Sequence, residues 1–351
     1  MNAPHVPPLP RRQLGKTKIR LPVTGIGCSD FGDRNRRRPP EEARDTINAA
    51  MTADLCYFDT APYYGFGLSE RRLGDALRET ARSTFILSSK VGRLLQPDAA
   101  VDTSSPRNGF YSAMPFRPVF DYSYDGVMRS HEASLHRLGL ARIDILFAHD
   151  IGAFAHADRH ALTWRDFVSG GLKALGELKA SGAIAAFGLG VNETAACDQL
   201  LDLADVDCFL LAGRYTLLDN RGALPLLDRC WQRQTGVIVG GPYNTGLLAS
   251  GTKRDGPFRY DYGAASPAIV QTVKQLESIC AMHEVPLAAA ALQFPLGHPA
   301  VTSVLPGVSS AERAVTTRSL VDAEIPTAFW DTLRNDGLID PAIPLPDAPV
   351  R

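Results

Sequence analysis

The sequence predicts an α/β chain folded as a (β/α)8 TIM barrel, and three observations predict it. Eight short apolar runs are spread along the 351 residues. None alternates apolar with polar positions, which is the pattern of strands buried on both faces of a parallel sheet. Segments with helical spacing separate the runs, and no shift in composition marks a linker. Eight such units in a chain of this length favour a barrel over a doubly wound sheet.

The runs are Val23–Cys28, Leu55–Asp59, Phe85–Lys90, Ile143–His149, Ala183–Gly190, Asp207–Gly213, Gly236–Gly241 and Val301–Gly307. The helices between them have recognisable ends. One opens at Pro39-Pro40-Glu41-Glu42, with proline suited to the first turn and acids matching the positive helix end. Another aligns Val127, His131, Leu135 and Leu138 and stops at Gly139. A third aligns Leu172, Leu175 and Leu178 and stops at Ser181-Gly182. The dinucleotide fingerprint of a doubly wound fold is missing, because after Gly25-Ile26-Gly27 the third glycine is misplaced. Arg11–Leu21 reads as a hairpin closing the barrel bottom. Leu94–Tyr124, rich in Pro, Gly and aromatics, reads as a long loop after strand three and a candidate lid. The chain therefore reads as one domain over 1–351, with the barrel over about 11–325 and a tail over 326–351.

Composition excludes several classes. Lys and Arg total 37, Asp and Glu 38, so the net charge is −1 and no basic stripe points to nucleic acid; the run Arg34, Arg36, Arg37, Arg38 suits a solvated loop. The N-terminus lacks the apolar core of a secretory signal, and no apolar stretch is long enough to span a membrane. Six cysteines (Cys28, Cys56, Cys197, Cys208, Cys230, Cys280) show no metal-ligand spacing and suit a reducing, cytoplasmic compartment. No metal is expected. Homo-oligomerisation stays open.

Chemistry in such a barrel belongs at the C-terminal strand ends. Strand two ends in Asp59, strand three in Lys90 and strand four in His149, while Tyr64 follows in the turn Pro62-Tyr63-Tyr64-Gly65. A buried lysine needs a counter-charge, which Asp59 supplies. A cation beside the tyrosine should pull its pKa down from about 10, so that it exchanges a proton with a substrate oxygen. His149 would hold the same oxygen by a hydrogen bond. Each residue alone also has a structural explanation, as a helix cap, a snorkelling lysine or a core histidine; their joint placement points to a proton-transfer site.

The segments Phe58–Gly65, Ser88–Gly92 and Leu146–His149, with Arg12–Gly15 and Phe187–Asn192, resemble the aldo-keto reductases. The resemblance covers roughly residues 11 to 325. It implies hydride transfer between a nicotinamide cofactor, NAD first with NADP open, and a carbonyl or carbinol carbon. Tyr64 would be the general acid/base, Lys90 its pKa-lowering partner, Asp59 the partner of Lys90 and His149 the orienting donor. Cofactor contacts would come from Cys28, Ser29, Asp59 and Asn192, from Gly241, Pro242, Tyr243, Asn244, Gly246 and Leu247, and from Gly307, Ser309 and Arg313.

Two departures matter. The glutamine that strand six usually offers to the nicotinamide amide, three positions before a tyrosine, is Ala212 here, three residues before Tyr215. The segment after strand seven reads Gly240–Gly246 in place of the usual aromatic-Ser-Pro-Leu. These features resemble the subgroup of D-threo-aldose 1-dehydrogenases (L-fucose dehydrogenases) and pyridoxal 4-dehydrogenases, which implies oxidation of a sugar lactol (L-fucose, D-arabinose or L-galactose type) or of pyridoxal to a lactone. Sugar contacts are expected from Asp102, Ser104, Arg107, Asn108, Tyr111 and Asp121, or pyridine stacking from Phe110, Phe116 and Tyr122. A general aldehyde or ketone reductase and a cofactor-binding regulatory subunit remain as alternatives.

Overall fold

A computed structural model describes residues 7–111 and 114–346 of the chain. The first six residues of the N-terminus, two residues of the insertion and the last five of the tail, on which part of the expectations above rest, lie outside the described residues.

All eight apolar runs become parallel strands of one sheet: β1 (Ile26–Gly27), β2 (Tyr57–Asp59), β3 (Ile86–Val91), β4 (Ile145–His149), β5 (Ala186–Val191), β6 (Cys208–Ala212), β7 (Gly236–Gly240) and β8 (Val301–Leu305). Neighbours in sequence are neighbours in space, from β1 to β8. Bridges Thr24–Val304 and Gly27–Gly307 bring the first strand against the last and close the barrel. Continuous burial explains why the runs lack alternation: β2, β4, β5 and β7 are buried at every residue.

The outer ring comprises α1 (Pro40–Thr52), α2 (Leu68–Leu77), α3 (Tyr124–Leu138), α4 (Leu172–Ala180), α5 (Thr194–Leu203), α6 (Leu224–Arg233), α7 (Leu287–Gln293) and α8 (Ala311–Asp322). Helices Pro267–Met282 and Thr327–Asn335 pack outside this repeat. The helix signals hold at their termini. Pro40 opens α1 with Glu41 and Glu42 in its first turn, Ser123 caps α3 by accepting from the Gly126 amide, and Gly139 ends α3.

The floor is the expected hairpin, Arg11–Gln13 paired antiparallel with Arg20–Pro22. Leu14 and Leu21 enter the barrel interior beside Tyr57, Ile145, Phe147, Leu210 and Ile238. Each buried leucine contributes roughly 1.5–3 kcal/mol, so the hairpin seals this end as core. A cavity of about 530 Å³ lies outside that floor, between Lys16, Arg82, Asp144, Lys179, Asp205 and Asp207. Its cations pair with its own carboxylates, and it is remote from the ionisable strand ends.

The insertion after β3 is more ordered than a long loop. It contains a hairpin, Arg93–Pro97 against Phe116–Phe120, and its tip carries Phe110 into a small cluster with Phe66, Tyr63 and Tyr64. All six cysteines are buried free thiols, as expected of small core residues. Among the described residues no single helix is long and apolar enough to cross a membrane, and no group of metal-binding side chains assembles.

Candidate functional site

The strand ends converge at one mouth. Lys90 Nζ donates to Asp59 Oδ2 at 2.6 Å, to the Thr60 carbonyl at 2.9 Å and to the Tyr64 hydroxyl at 3.2 Å. Three acceptors satisfy all three ammonium protons, which is what allows a lysine to sit here with 2% of its surface exposed. Ser88 Oγ donates to the other oxygen, Asp59 Oδ1, at 2.7 Å, and the Tyr57 hydroxyl lies 3.1 Å from Ser88 Oγ. The carboxylate is thereby fixed from both sides.

Tyr64 reaches the mouth because of the turn that carries it. Gly65 adopts φ +64, and Gly32 stacks against that peptide so closely that a Cβ on Gly32 would stand 2.5 Å from the Gly65 nitrogen. Only glycine permits this approach. The Tyr64 ring meets the His149 ring edge-on at a centroid distance of 6.0 Å. A hydrogen bond of 2.6 Å from Tyr122 to the His149 carbonyl holds the end of β4, and Nδ1 of His149 is buried without a partner.

The electrostatics correct one expectation. Burial raises the Tyr64 pKa, and the charge of Asp59 adds to that, while Lys90 pulls the other way without prevailing. The phenol therefore sits above its ordinary value, because burial, with Asp59 adding to it, outweighs the pull of the cation. Lys90 itself is raised: Asp59 and Tyr64 together outweigh the burial that opposes its charge. Burial, with Arg93 and Lys90, holds His149 well below its usual pKa, so the ring is neutral and retains one N–H to donate.

Two residues at the mouth were not anticipated. Arg93, three positions past Lys90, forms an ion pair with Asp150, the residue after His149. Its guanidinium lies over the Tyr63 ring at 4.4 Å and the Phe120 ring at 5.0 Å. Both follow strand ends, the same positional signal that singles out the other four residues.

The expected sugar contacts of the insertion are committed elsewhere. Asp102 binds Ser104 and Ser105; Asp121 binds Ser123 and Arg129; Ser104 accepts from Arg37 through its carbonyl. Arg107 donates to the Phe116 carbonyl and covers Phe66. Asn108 has φ +50 in the turn before Phe110, and Tyr111 is an exposed residue bonded through its amide to the Asp33 carbonyl. Of the candidate stacking rings, Phe110 and Tyr122 are buried and Phe116 is packed against the first. Tyr215 is buried against Phe294 and His298, so it faces the helical layer. Arg214 takes its place near the mouth, donating to the Asn192 carbonyl at 2.6 Å and to both oxygens of Asp261 at 2.8 and 3.0 Å.

The expected cofactor contacts divide in the same way. Cys28 is fully buried and offers only backbone here, its amide bonding the Asp59 carbonyl. Ser29 begins a short turn beside it, half-buried. The Asn192 amide donates to the Ala212 carbonyl and the Tyr262 hydroxyl. Pro242 and Leu247 are buried supports, whereas Gly241 is open to solvent and Gly246 partly so. The Tyr243 hydroxyl and Asn244 Oδ1 are buried without partners in the segment after β7. On the β8 side, Gly307, Ser309 and Arg313 follow the end of the strand. Arg313 is exposed, forms no ion pair among the described residues, and its charge reaches both Tyr243 and Asp30. Orphaned buried acceptors and donors beside a free guanidinium fit a polar, phosphate-bearing group lying between the last two strand ends.

Comparison with known proteins agrees with this geometry. Residues 24–335 match the Aldo/keto reductase family. The chain belongs to the aldo/keto reductase family. It is therefore an oxidoreductase, and the resemblance drawn from its strand-end motifs is shown. This aldo/keto reductase is 42% identical over 343 residues to the pyridoxal 4-dehydrogenase of Microbacterium luteolum, covering 95% of this chain and 99% of that one. It is 36% identical over 327 residues to a D-threo-aldose 1-dehydrogenase of Pseudomonas sp, covering 92% and 95%. Among solved structures, aldo-keto reductase AKR11C1 from Bacillus halodurans in its holo form superposes with a TM-score of 0.74 at 23% identity, covering 95% of this chain and 98% of that one. That likeness supports the barrel fold.

Proposed function

We propose that this aldo/keto reductase is an NAD(P)-dependent aldose 1-dehydrogenase that oxidises the C1 lactol of a small aldose, of the L-fucose, D-arabinose or L-galactose type, to its lactone. The observation that carries the reading is the chain Asp59–Lys90–Tyr64, closed by His149 at the same mouth. Tyr243, Asn244, Ser309 and Arg313, with the backbone of Gly241, Gly246 and Gly307, would hold the phosphate-bearing part of a nicotinamide dinucleotide, whose chemistry when bound is to take the hydride. Tyr64, as a phenolate stabilised by the adjacent ammonium of Lys90, would take the lactol proton at its oxygen. His149, neutral, would donate to the same substrate oxygen and fix its position. Asp59 keeps Lys90 charged and aimed. Past the last strand Gly307, Val308 and Ser309 bring no cation and Arg313 brings one, which supports NAD first, with NADP accepted.

The alternative is pyridoxal oxidation to 4-pyridoxolactone, which the 42% identity to a pyridoxal 4-dehydrogenase favours. Both reactions convert a cyclic hemiacetal into a lactone and need the same four residues. The test is the formation of NADH and NADPH at mildly alkaline pH with L-fucose, D-arabinose, L-galactose and pyridoxal, each with either cofactor. Turnover of an aldose supports the proposal. Turnover of pyridoxal alone replaces the substrate and keeps the chemistry.

A further inference from the structure

Immediately after His149 the backbone turns through Asp150 at φ +50. A non-glycine residue in that region is held there by its surroundings, and such outliers concentrate at functional sites. The Asp150 amide donates to the Gly190 carbonyl at 2.8 Å, and Arg93 binds the side chain through Oδ2. The consequence is a carboxylate aimed back into the mouth. Its Oδ2 stands 3.7 Å from His149 Nε2, and its charge is felt at Tyr64. Oδ1 has no hydrogen-bond donor among the described residues, and 21% of the side chain is exposed. Arg93 does not compete for substrate: it is sandwiched between Tyr63 and Phe120 and serves to hold Asp150.

An acceptor-only group at this place selects for a ligand that donates a hydrogen bond beside the reacting oxygen. In an aldose lactol the C2 hydroxyl is vicinal to the C1 hydroxyl. The pyridoxal lactol has no hydroxyl on the atom next to its lactol carbon, since its phenol is one atom further away. Resting on the aldose reading above, we propose that Asp150, positioned by Arg93, accepts the C2 hydroxyl of the sugar while Tyr64 and His149 hold the C1 oxygen.

The test compares kcat/KM for L-fucose against 2-deoxy-L-fucose, and for D-arabinose against 2-deoxy-D-ribose, each pair differing only at C2. The parent enzyme is expected to prefer the hydroxylated sugar by roughly ten- to a hundred-fold, the range for a hydrogen bond to a charged group. Asp150→Ala brings that ratio close to unity. Arg93→Met shrinks it, and Arg93→Lys restores part of it, which a merely structural role would not do. If Asp150→Ala fails to fold because Arg93 is stranded, the double variant Arg93→Met/Asp150→Ala removes the unpaired cation and is expected to show the same loss of preference. Equal use of both sugars by the parent, or an undiminished preference in the variants, overturns the inference and leaves the proposed function standing. Absence of lactone from every aldose with the parent enzyme overturns the aldose reading and this inference with it.

Discussion

At Tyr64 opposing influences meet on one oxygen. Lys90 Nζ, 3.2 Å away, stabilises the phenolate, while burial and Asp59 resist it and leave the hydroxyl above its ordinary pKa. If Tyr64 is the base in lactol oxidation, kcat/KM should climb with pH through the mildly alkaline range and still be rising at about pH 9, since the free phenol titrates near 10. A profile that levels near neutrality would remove Tyr64 from that role. Tyr64→Phe should lower turnover by roughly a hundred- to ten-thousand-fold, the range for general acid–base catalysis. Cofactor affinity, read by quenching of protein fluorescence, should hold, because only the phenolic O–H is lost. Lys90→Met should move the rising limb to still higher pH. It should also destabilise the fold by about 3–5 kcal/mol, because Asp59 is 4% exposed and would keep a charge with no cation. Denaturant unfolding of the variant against the parent measures that part. Asp59, Lys90, His149 and Tyr64 were legible in the sequence because each stands at or just beyond the end of an unbroken apolar run. Arg93 and Asp150 stand just past the same ends, but a charged residue entering a loop reads as solvated, and their pairing depends on a left-handed turn that no local pattern announces.

Elements show the same division between what spacing encodes and what tertiary contact decides. Barrel strands and capped helices are written locally, in continuous burial, prolines at first turns and a terminal Gly139. The insertion hairpin was not legible, because Pro97 and Pro118 lie in its strands and proline demotes a strand on sequence alone. Here the strands lie in a two-stranded sheet of their own, outside the barrel ladder, where proline is tolerated. The segment after β7 was harder still, since its hairpin has two residues on each side, Arg259–Tyr260 against Gly263–Ala264. What holds it is remote: Asp261 on Arg214, the Tyr262 hydroxyl on Asn192, and the Tyr262 amide on Thr245. Arg34 in the connection after β1 lies 5.7 Å from the Tyr262 ring, so the latch spans from the first strand's loop to the sixth's. Few apolar groups are buried there, and such segments open well below the global unfolding free energy. Arg214→Ala should therefore raise amide exchange and protease cutting across residues 251–266 while shifting Tm little. Protection equal to the parent's would show that the tyrosine contacts suffice without the ion pair.

Across the whole molecule, burial of histidine couples the fold to pH. His131, His149, His156 and His298 are all buried, and burial lowers each of their pKa values below the ordinary one. The unfolded chain binds protons at these rings near pH 6.5, while the folded chain leaves them neutral. Stability from this source is therefore complete above about pH 6.5 and is lost as pH falls, at up to about 1.4 kcal/mol per histidine per pH unit. Asp30, Asp150 and Asp219 have the opposite sign: burial raises them, so the folded state takes up their protons more readily and gains stability as pH falls. That gain accrues below their raised folded values and is complete near 4, so it opposes part of the loss from the four histidines between about pH 6.5 and 5. Tm should fall over that interval. His131 isolates the effect, because it lies on α3 away from the mouth and its Nε2 has no partner. His131→Gln should shrink the drop in Tm between about pH 7.5 and 5.5 by up to about a quarter, since His149 is held lowest of the four and carries a larger share, with activity at neutral pH preserved. An unchanged drop would mean that the ring titrates alike in the folded and unfolded chains, and that acid sensitivity arises at the other three histidines.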